Sequence, residues 1–310
     1  MSNCIIFLRC FCWTVLVGTK LLSLNSIYAQ DGKIYDENIL IDSYFNNLYN
    51  FSFNHSDSLI LELSKSNIDR ATLFNIKANL AWWKLLSGDS ANLNLNKCNF
   101  NTDESIKFNL KNKQRDKGFL LNIIYSYSLK ARLEGYNGNS LKSFLYFYKS
   151  SFYISECIKL SGTDENVNLI LGLYLYLMDY IKDEYNLVSV LFSFPEGNKT
   201  KGLEYLENCS ASKNDMVRTE ANYFLFKIYS DLEKDFTKAF VYVQILNEQH
   251  PDNLVYNLEQ LKLLLIFKKS NEAQLYRKML IDKIQTAKNI NTLQKDHFLC
   301  KIDQIIKTGI

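Results

Sequence analysis

The residues able to carry acid–base, nucleophilic or metal chemistry are few and widely spread. His55, His250 and His297 are the only histidines. No two of them stand at the i, i+4 spacing that puts two imidazoles on one helical face for zinc. A nucleophile needs a base beside it and a group to orient that base, and no strand–turn–helix Gly-x-Ser-x-Gly elbow is present. The glycines form neither a Gly-x-Gly-x-x-Gly turn nor a Walker-type phosphate loop. Adjacent carboxylates such as Asp164-Glu165 and Asp183-Glu184 sit at expected helix ends, where capping and the helix dipole account for them. No set of nucleophile, base and orienting group assembles. The expectation is a protein that is not an enzyme and uses no cofactor or metal.

Aromatic side chains are the other source of binding chemistry. Trp82 and Trp83 are adjacent, so on a helix they point about 100° apart, and one of them is expected to face a groove. Phe144, Tyr146, Phe147, Tyr148, Phe152 and Tyr153 crowd one further helix, more than a single buried stripe accommodates. Trp82, Trp83, Tyr146 and Tyr148 are therefore the candidate ligand-contacting aromatics, with packing between helices as the competing account.

The elements that must position these groups are helical. The chain has 310 residues, 47% hydrophobic and 14% aromatic, too apolar for disorder. Only 11 Gly and 2 Pro occur, too little turn punctuation for a β-sandwich or a doubly wound sheet of this size. Apolar residues recur at three and four positions over long segments. The spacing predicts helices over about 36–48, from the Asn54–Asp57 caps onward, over 68–86 ending at Gly88, from Thr102-Asp103-Glu104 with breaks through Phe119 to Leu133, over 141–160 and 164–181, and over 201–208. Five more begin near Asp215, Asp235, Asp252, Asn271 and Asn291. The Asn-rich segment 89–103 reads as a loop. The 164–181 segment is apolar nearly all round, yet too short to span a bilayer, so it is expected to be buried. Helices joined by short turns pair antiparallel, and more than ten cannot share one bundle seam. The predicted architecture is all-α, an α-solenoid of antiparallel helix pairs, forming one domain over residues 30–310.

Residues 1–29 read as a secretory signal. Arg9 precedes the apolar run Cys10–Thr19, within the about 7–15 residues of such a core, and Ala29 supplies a small residue for cleavage. The alternative is an uncleaved anchor through which the chain associates with a membrane. The net charge of +3 falls to +1 once Arg9 and Lys20 leave with this segment. That is no footprint for nucleic acid, and none is expected as a partner. Lys111, Lys113, Arg115 and Lys117 surround Asp116 and read as a solvated surface. Beyond the leader, Cys98, Cys157, Cys209 and Cys300 are scattered, more like buried thiols than a disulfide framework. His250, before Pro251, reads as a helix-end imidazole made partly positive by the dipole.

Residues 216–253, MVRTEANYFLFKIYSDLEKDFTKAFVYVQILNEQHPDN, carry a resemblance. Leu225 and Tyr229 keep the spacing of a conserved-type Leu and Tyr in a first helix, Ala239 is small where a second helix crosses it, and Pro251 ends that helix. This stretch resembles a tetratricopeptide repeat. It departs from the pattern at Asn222, Phe226 and Val243, and it has one extra residue between Tyr229 and Ala239. Upstream, Leu171-Gly172-Leu173-Tyr174 and Lys201-Gly202-Leu203-Glu204-Tyr205-Leu206 are similar to exported bacterial proteins of that superfamily. The resemblance implies a right-handed superhelix, packed through Leu225, Tyr229, Ala239 and Pro251, and a partner-binding scaffold role. The functional expectation is a scaffold of the periplasm or outer surface that binds a protein segment on a concave face. The alternatives are a glycan- or small-ligand-binding protein using the exposed aromatics, and a structural subunit of an envelope assembly. The last helix, with Leu293, Phe298, Ile302, Ile305 and Ile306, is expected to cap the array.

Overall fold

Short polar side chains start many of the helices. Asp69, Asp116, Asn198, Asn214, Asp235 and Asn253 each accept a hydrogen bond from a backbone N–H in the first turn that follows. Asn291 and Gln294 cap each other reciprocally, side chain to backbone, at 3.0 and 2.9 Å. At the other end, Gly88 takes the left-handed conformation (φ +82°) that stops the helix before it.

The computed structural model describes residues 29–30, 33–34, 37–112, 115–160, 164–184 and 196–308. The leader expected over 1–29 lies outside these apart from Ala29, as do the expected stop at 161–163 and residues 194–195 of the expected turn. Among the described residues, a two-residue antiparallel pairing of Ala29–Gln30 with Lys33–Ile34 is the one departure from helix. The helices are α1 (Glu37–Tyr49), α2 (Phe53–Leu63), α3 (Arg70–Leu86), α4 (Ala91–Lys111), α5 (Lys117–Tyr136), α6 (Ser140–Ser151) and α7 (Ile154–Ile158). They continue as α8 (Glu165–Glu184), α9 (Lys199–Ser210), α10 (Asp215–Lys227), α11 (Phe236–Gln249), α12 (Leu254–Ile266), α13 (Ser270–Thr286) and α14 (Thr292–Thr308).

Two expectations on element boundaries are corrected. Residues 89–103 are not a loop: α4 runs through them, and its inner face is Asn94, Cys98, Thr102, Ser105 and Asn109. That face is buried but mostly polar, so no apolar period marks it. The aromatic helix expected over 141–160 is two helices, with a break at Phe152-Tyr153.

Each helix packs on the next along much of the chain. The nearly all-apolar α8 is buried on every side, with Leu169, Ile170, Leu173, Tyr174, Tyr176 and Leu177 all at 0% exposure. Burying each Leu or Ile contributes about 1.5–3 kcal/mol. No helix among the described residues is long and apolar enough to cross a membrane.

The packing is not confined to neighbours. α1 lies on α10, Asn253 Nδ2 donates to the Tyr49 carbonyl (2.9 Å), and Gln294 Nε2 donates to Ser87 Oγ (2.6 Å). The Phe51 and Phe298 rings stand 6.0 Å apart. In an open solenoid each unit touches only its neighbours. Here the C-terminal helices return onto the N-terminal ones. Phe298, Ile302 and Ile305 of α14 are buried, while Leu293 and Ile306 stay exposed.

Candidate functional site

The residues singled out from the repeat resemblance lie together. Leu225, Tyr229 and Ala239 are buried where α10 meets α11, and Tyr229 stacks on Tyr242 at 5.8 Å. A π-helical turn over Ile228–Leu232 follows α10. Pro251 is exposed and follows the end of α11 rather than packing.

The aromatic candidates separate into two groups. Trp82 and Trp83 are both interior, at 4% and 1% exposure, so neither faces a groove. The expectation of one open indole assumed a single buried face per helix. α3 instead packs against α2, α4 and α5, and Tyr256 of α12 closes edge-on over Trp83 at 5.9 Å. Tyr146 and Tyr148 are half-buried. Tyr146 stacks on Tyr127 of α5 at 6.4 Å, and Tyr148 meets Phe152 edge to face at 4.7 Å. Leu141, Leu145 and Phe152 are 68%, 40% and 57% exposed. With Tyr148 they stand at i, i+4, i+7 and i+11, the 4-3-4 spacing of a helix–helix seam.

Two buried polar clusters meet α3 and α5, and they differ in how they are satisfied. In the first, Ser126 Oγ donates to Asn75 Oδ1 (2.8 Å), Asn75 Nδ2 donates to Asn122 Oδ1 (3.0 Å), and Asn122 Nδ2 donates to Thr72 Oγ1 (3.1 Å). Ser105 Oγ donates to the Ala71 carbonyl at 2.9 Å, tying α4 to α3. This is a closed network that locks three helices in register.

The second cluster is not closed. Asn79, Trp82 and Trp83 share one face of α3, Tyr125 and Arg132 one face of α5, and Glu220 projects from α10. All are at most 4% exposed. Among the described residues none of the three Arg132 guanidinium nitrogens has a hydrogen-bond partner, and the same holds for Trp82 Nε1, Trp83 Nε1 and Glu220 Oε2, while Tyr125 Oη and the Asn79 amide have only a weak interaction with each other. The Arg132 guanidinium stands 6.0 Å from the Trp82 ring centre. Glu220 Oε1 accepts from Tyr49 Oη at 2.5 Å. Burial pushes the Glu220 carboxyl up to about 8, against the opposing pull of that hydrogen bond and of Arg132. Burial lowers Arg132, with Glu220 opposing, but a guanidinium stays charged at neutral pH. Nothing in periodicity or spacing pointed to this centre. Arg132 and Glu220 are 88 positions apart, and each reads alone as an ordinary solvated charge.

Cys98, Cys157 and Cys209 are buried free thiols, each pushed up to about 12 by burial, and Cys300 is exposed. His250 is not a partly positive helix end. It is buried and its pKa falls to about 4. Among the described residues no three His, Cys, Asp or Glu side chains gather into a metal-holding group. Compared with known proteins, the chain matches no family model, no curated protein and no solved structure.

Proposed function

We propose that this chain is a non-catalytic scaffold that binds a segment of another protein, exported by its leader to the periplasm or outer surface, with a tetratricopeptide-like helix pair over residues 216–253. The observation that carries the binding reading is the stripe along α6 and its end, in which Leu141, Leu145 and Phe152 are exposed and Tyr148 is half-buried. Apolar side chains at seam spacing gain about 25 cal/mol for each Å² that a partner covers, and an amphipathic helix is the segment that presents the matching stripe. The platform alternative built on Trp82 and Trp83 is not retained, because both indoles are buried.

The test is an affinity capture from envelope extract, using the wild-type chain and a Leu141→Asp/Leu145→Asp variant as parallel baits. One or two proteins recovered at stoichiometric levels by the wild type and lost from the variant support the reading. Equal recovery by both baits, or none by either, defeats it. N-terminal sequencing of the protein from fractionated cells tests export: a start at Gln30 supports a cleaved leader, and an intact Met1 in the cytoplasmic fraction removes that part of the proposal.

A further inference from the structure

A buried charge without a partner is costly. Removing an ion from water costs several kcal/mol even after relaxation, and each buried donor without an acceptor adds about 1–3 kcal/mol. At the centre bounded by α3, α5 and α10 these costs accumulate on one side of the ledger of charge. Arg132 carries a fixed positive charge and nitrogens on all arms of its fork that find no acceptor. Trp82 Nε1 and Trp83 Nε1 are also donors without acceptors, and Tyr125 Oη and the Asn79 amide beside them have only a weak interaction with each other. The acidic side chain coupled to Arg132 is Glu220. Burial raises its carboxyl toward the protonated form, Oε1 is already engaged by Tyr49, and Oε2 makes no hydrogen bond to the guanidinium. The centre thus has more open donors than acceptors around the Arg132 fork. Water would satisfy the hydrogen bonds but not the charge.

We propose that this centre binds a small oxyanion, either inorganic phosphate or the carboxylate of a compact organic acid, seated on the Arg132 fork with Tyr125, Asn79 and the two indole N–H groups as further donors. The planar guanidinium matches two oxygens of such a group in parallel. The Trp82 ring beside it gives an apolar wall, suited to the flat body of an organic acid. Trp82 meets Tyr136 edge-on at 6.0 Å, and Tyr136, one turn beyond Arg132 on α5, is 46% exposed. This site is separate from the α6 stripe and does not depend on the scaffold reading.

The experiment is a pair of titrations on the full chain, one with inorganic phosphate and one with benzoate, at constant ionic strength. A Trp13→Phe background leaves Trp82 and Trp83 as the only indoles. A saturable change in their emission, with a rise in Tm of about 2–4 °C at about ten times the Kd, is expected from at least one of the two probes. Arg132→Met should abolish the response, and Tyr125→Phe should weaken the affinity about tenfold. A response to phosphate alone assigns an inorganic oxyanion, and one to benzoate alone assigns an organic carboxylate. No saturable response to either probe by about 10 mM, where even a millimolar site is mostly filled, overturns the proposal. So does an undiminished response in Arg132→Met. If that variant does not fold, undiminished affinity in both Tyr125→Phe and Asn79→Leu overturns it instead.

Discussion

Tyr49 Oη donates a 2.5 Å hydrogen bond to Glu220 Oε1, joining the end of α1 to α10 across 171 positions of sequence. Burial holds the Tyr49 phenol well above its ordinary value, so Tyr49 remains the donor throughout the stable pH range. The carboxyl it touches has a folded pKa of about 8 against 4.5 in the unfolded chain. The folded state therefore binds this proton more tightly. The stability it brings is complete below about pH 4.5 and is lost as pH rises to about 8. Glu220→Gln keeps the acceptor for Tyr49 and cannot ionise. It should raise Tm at pH 8, by an amount on the order of a few kcal/mol of stability, and change little at pH 5. Thermal melts of the two chains at both pH values check this. A gain of equal size at both would mean that ionisation of Glu220 is not the cause.

How much of this was legible follows from what each signal measures. Helix starts were readable where one side chain does the capping: Asp235 and Asn291 cap the helices they were expected to begin, and Asp215 and Asp252 are one residue off from Asn214 and Asn253. The first half of α4 was missed because the helix's buried face is Asn94, Thr102, Ser105 and Asn109, whose burial is made acceptable by partners on other elements and its own backbone. Apolar periodicity cannot register that. The return of α14 onto α3 rests on Gln294 and Ser87, 207 positions apart, and no local pattern encodes such a contact. The Arg132 centre was invisible for the same reason: it exists only once α3, α5 and α10 meet.

Gly202 and Gly172 allow α8 and α9 to touch through their backbones. A Cβ at Gly202 would lie 2.6 Å from the Tyr176 amide nitrogen and 2.7 Å from the Gly172 carbonyl oxygen, neither of which can swing away. Gly202→Ala gains about 1 kcal/mol of helix propensity, but forcing the helices apart costs about 1–3 kcal/mol or more. The net expectation is a lower Tm. At Gly172 a Cβ would meet the Leu206 side chain at 2.9 Å, which has some freedom, and the Gly202 carbonyl oxygen at 3.0 Å, further off than either backbone atom at Gly202, so Gly172→Ala should destabilise less. Denaturant melts of both variants give the order. Gly202→Ala at least as stable as wild type would show that the crossing is looser than the backbone distances require.

Trp82 and Trp83 are within a few per cent of full burial, and their indole nitrogens are buried without a hydrogen-bond partner among the described residues. In the Trp13→Phe background, emission should be blue-shifted and poorly quenched by iodide, an anion too hydrated to enter an apolar interior. Unfolding in guanidinium should shift the emission red and restore quenching. Quenching in the native protein comparable to that of free tryptophan would place an indole at the surface and return the aromatic-platform reading to consideration.

His250 supplies a pH dependence of opposite sign to Glu220. Its Nδ1 lies 3.3 Å from Asn50 Nδ2, an amide that only donates, so Nδ1 is the acceptor and the proton sits on Nε2. Nε2 then donates to Thr219 Oγ1 at 2.7 Å. Protonation would place a second hydrogen against the Asn50 amide, and burial lowers the folded pKa to about 4 from 6.5. A base depressed in this way contributes stability that is complete above about pH 6.5 and is lost as pH falls to about 4, a total of roughly 3 kcal/mol. Between those limits Glu220 gains as His250 loses, so the wild type should show a muted slope. Glu220→Gln removes the compensation and should make stability fall steadily from pH 6.5 to pH 4. Adding His250→Gln, which lowers stability at neutral pH by about 1–2 kcal/mol through the lost hydrogen bonds, should flatten that fall. Denaturant midpoints for the three chains across this window decide it, and a slope in the double variant as steep as in Glu220→Gln alone would assign the acid sensitivity to a different group.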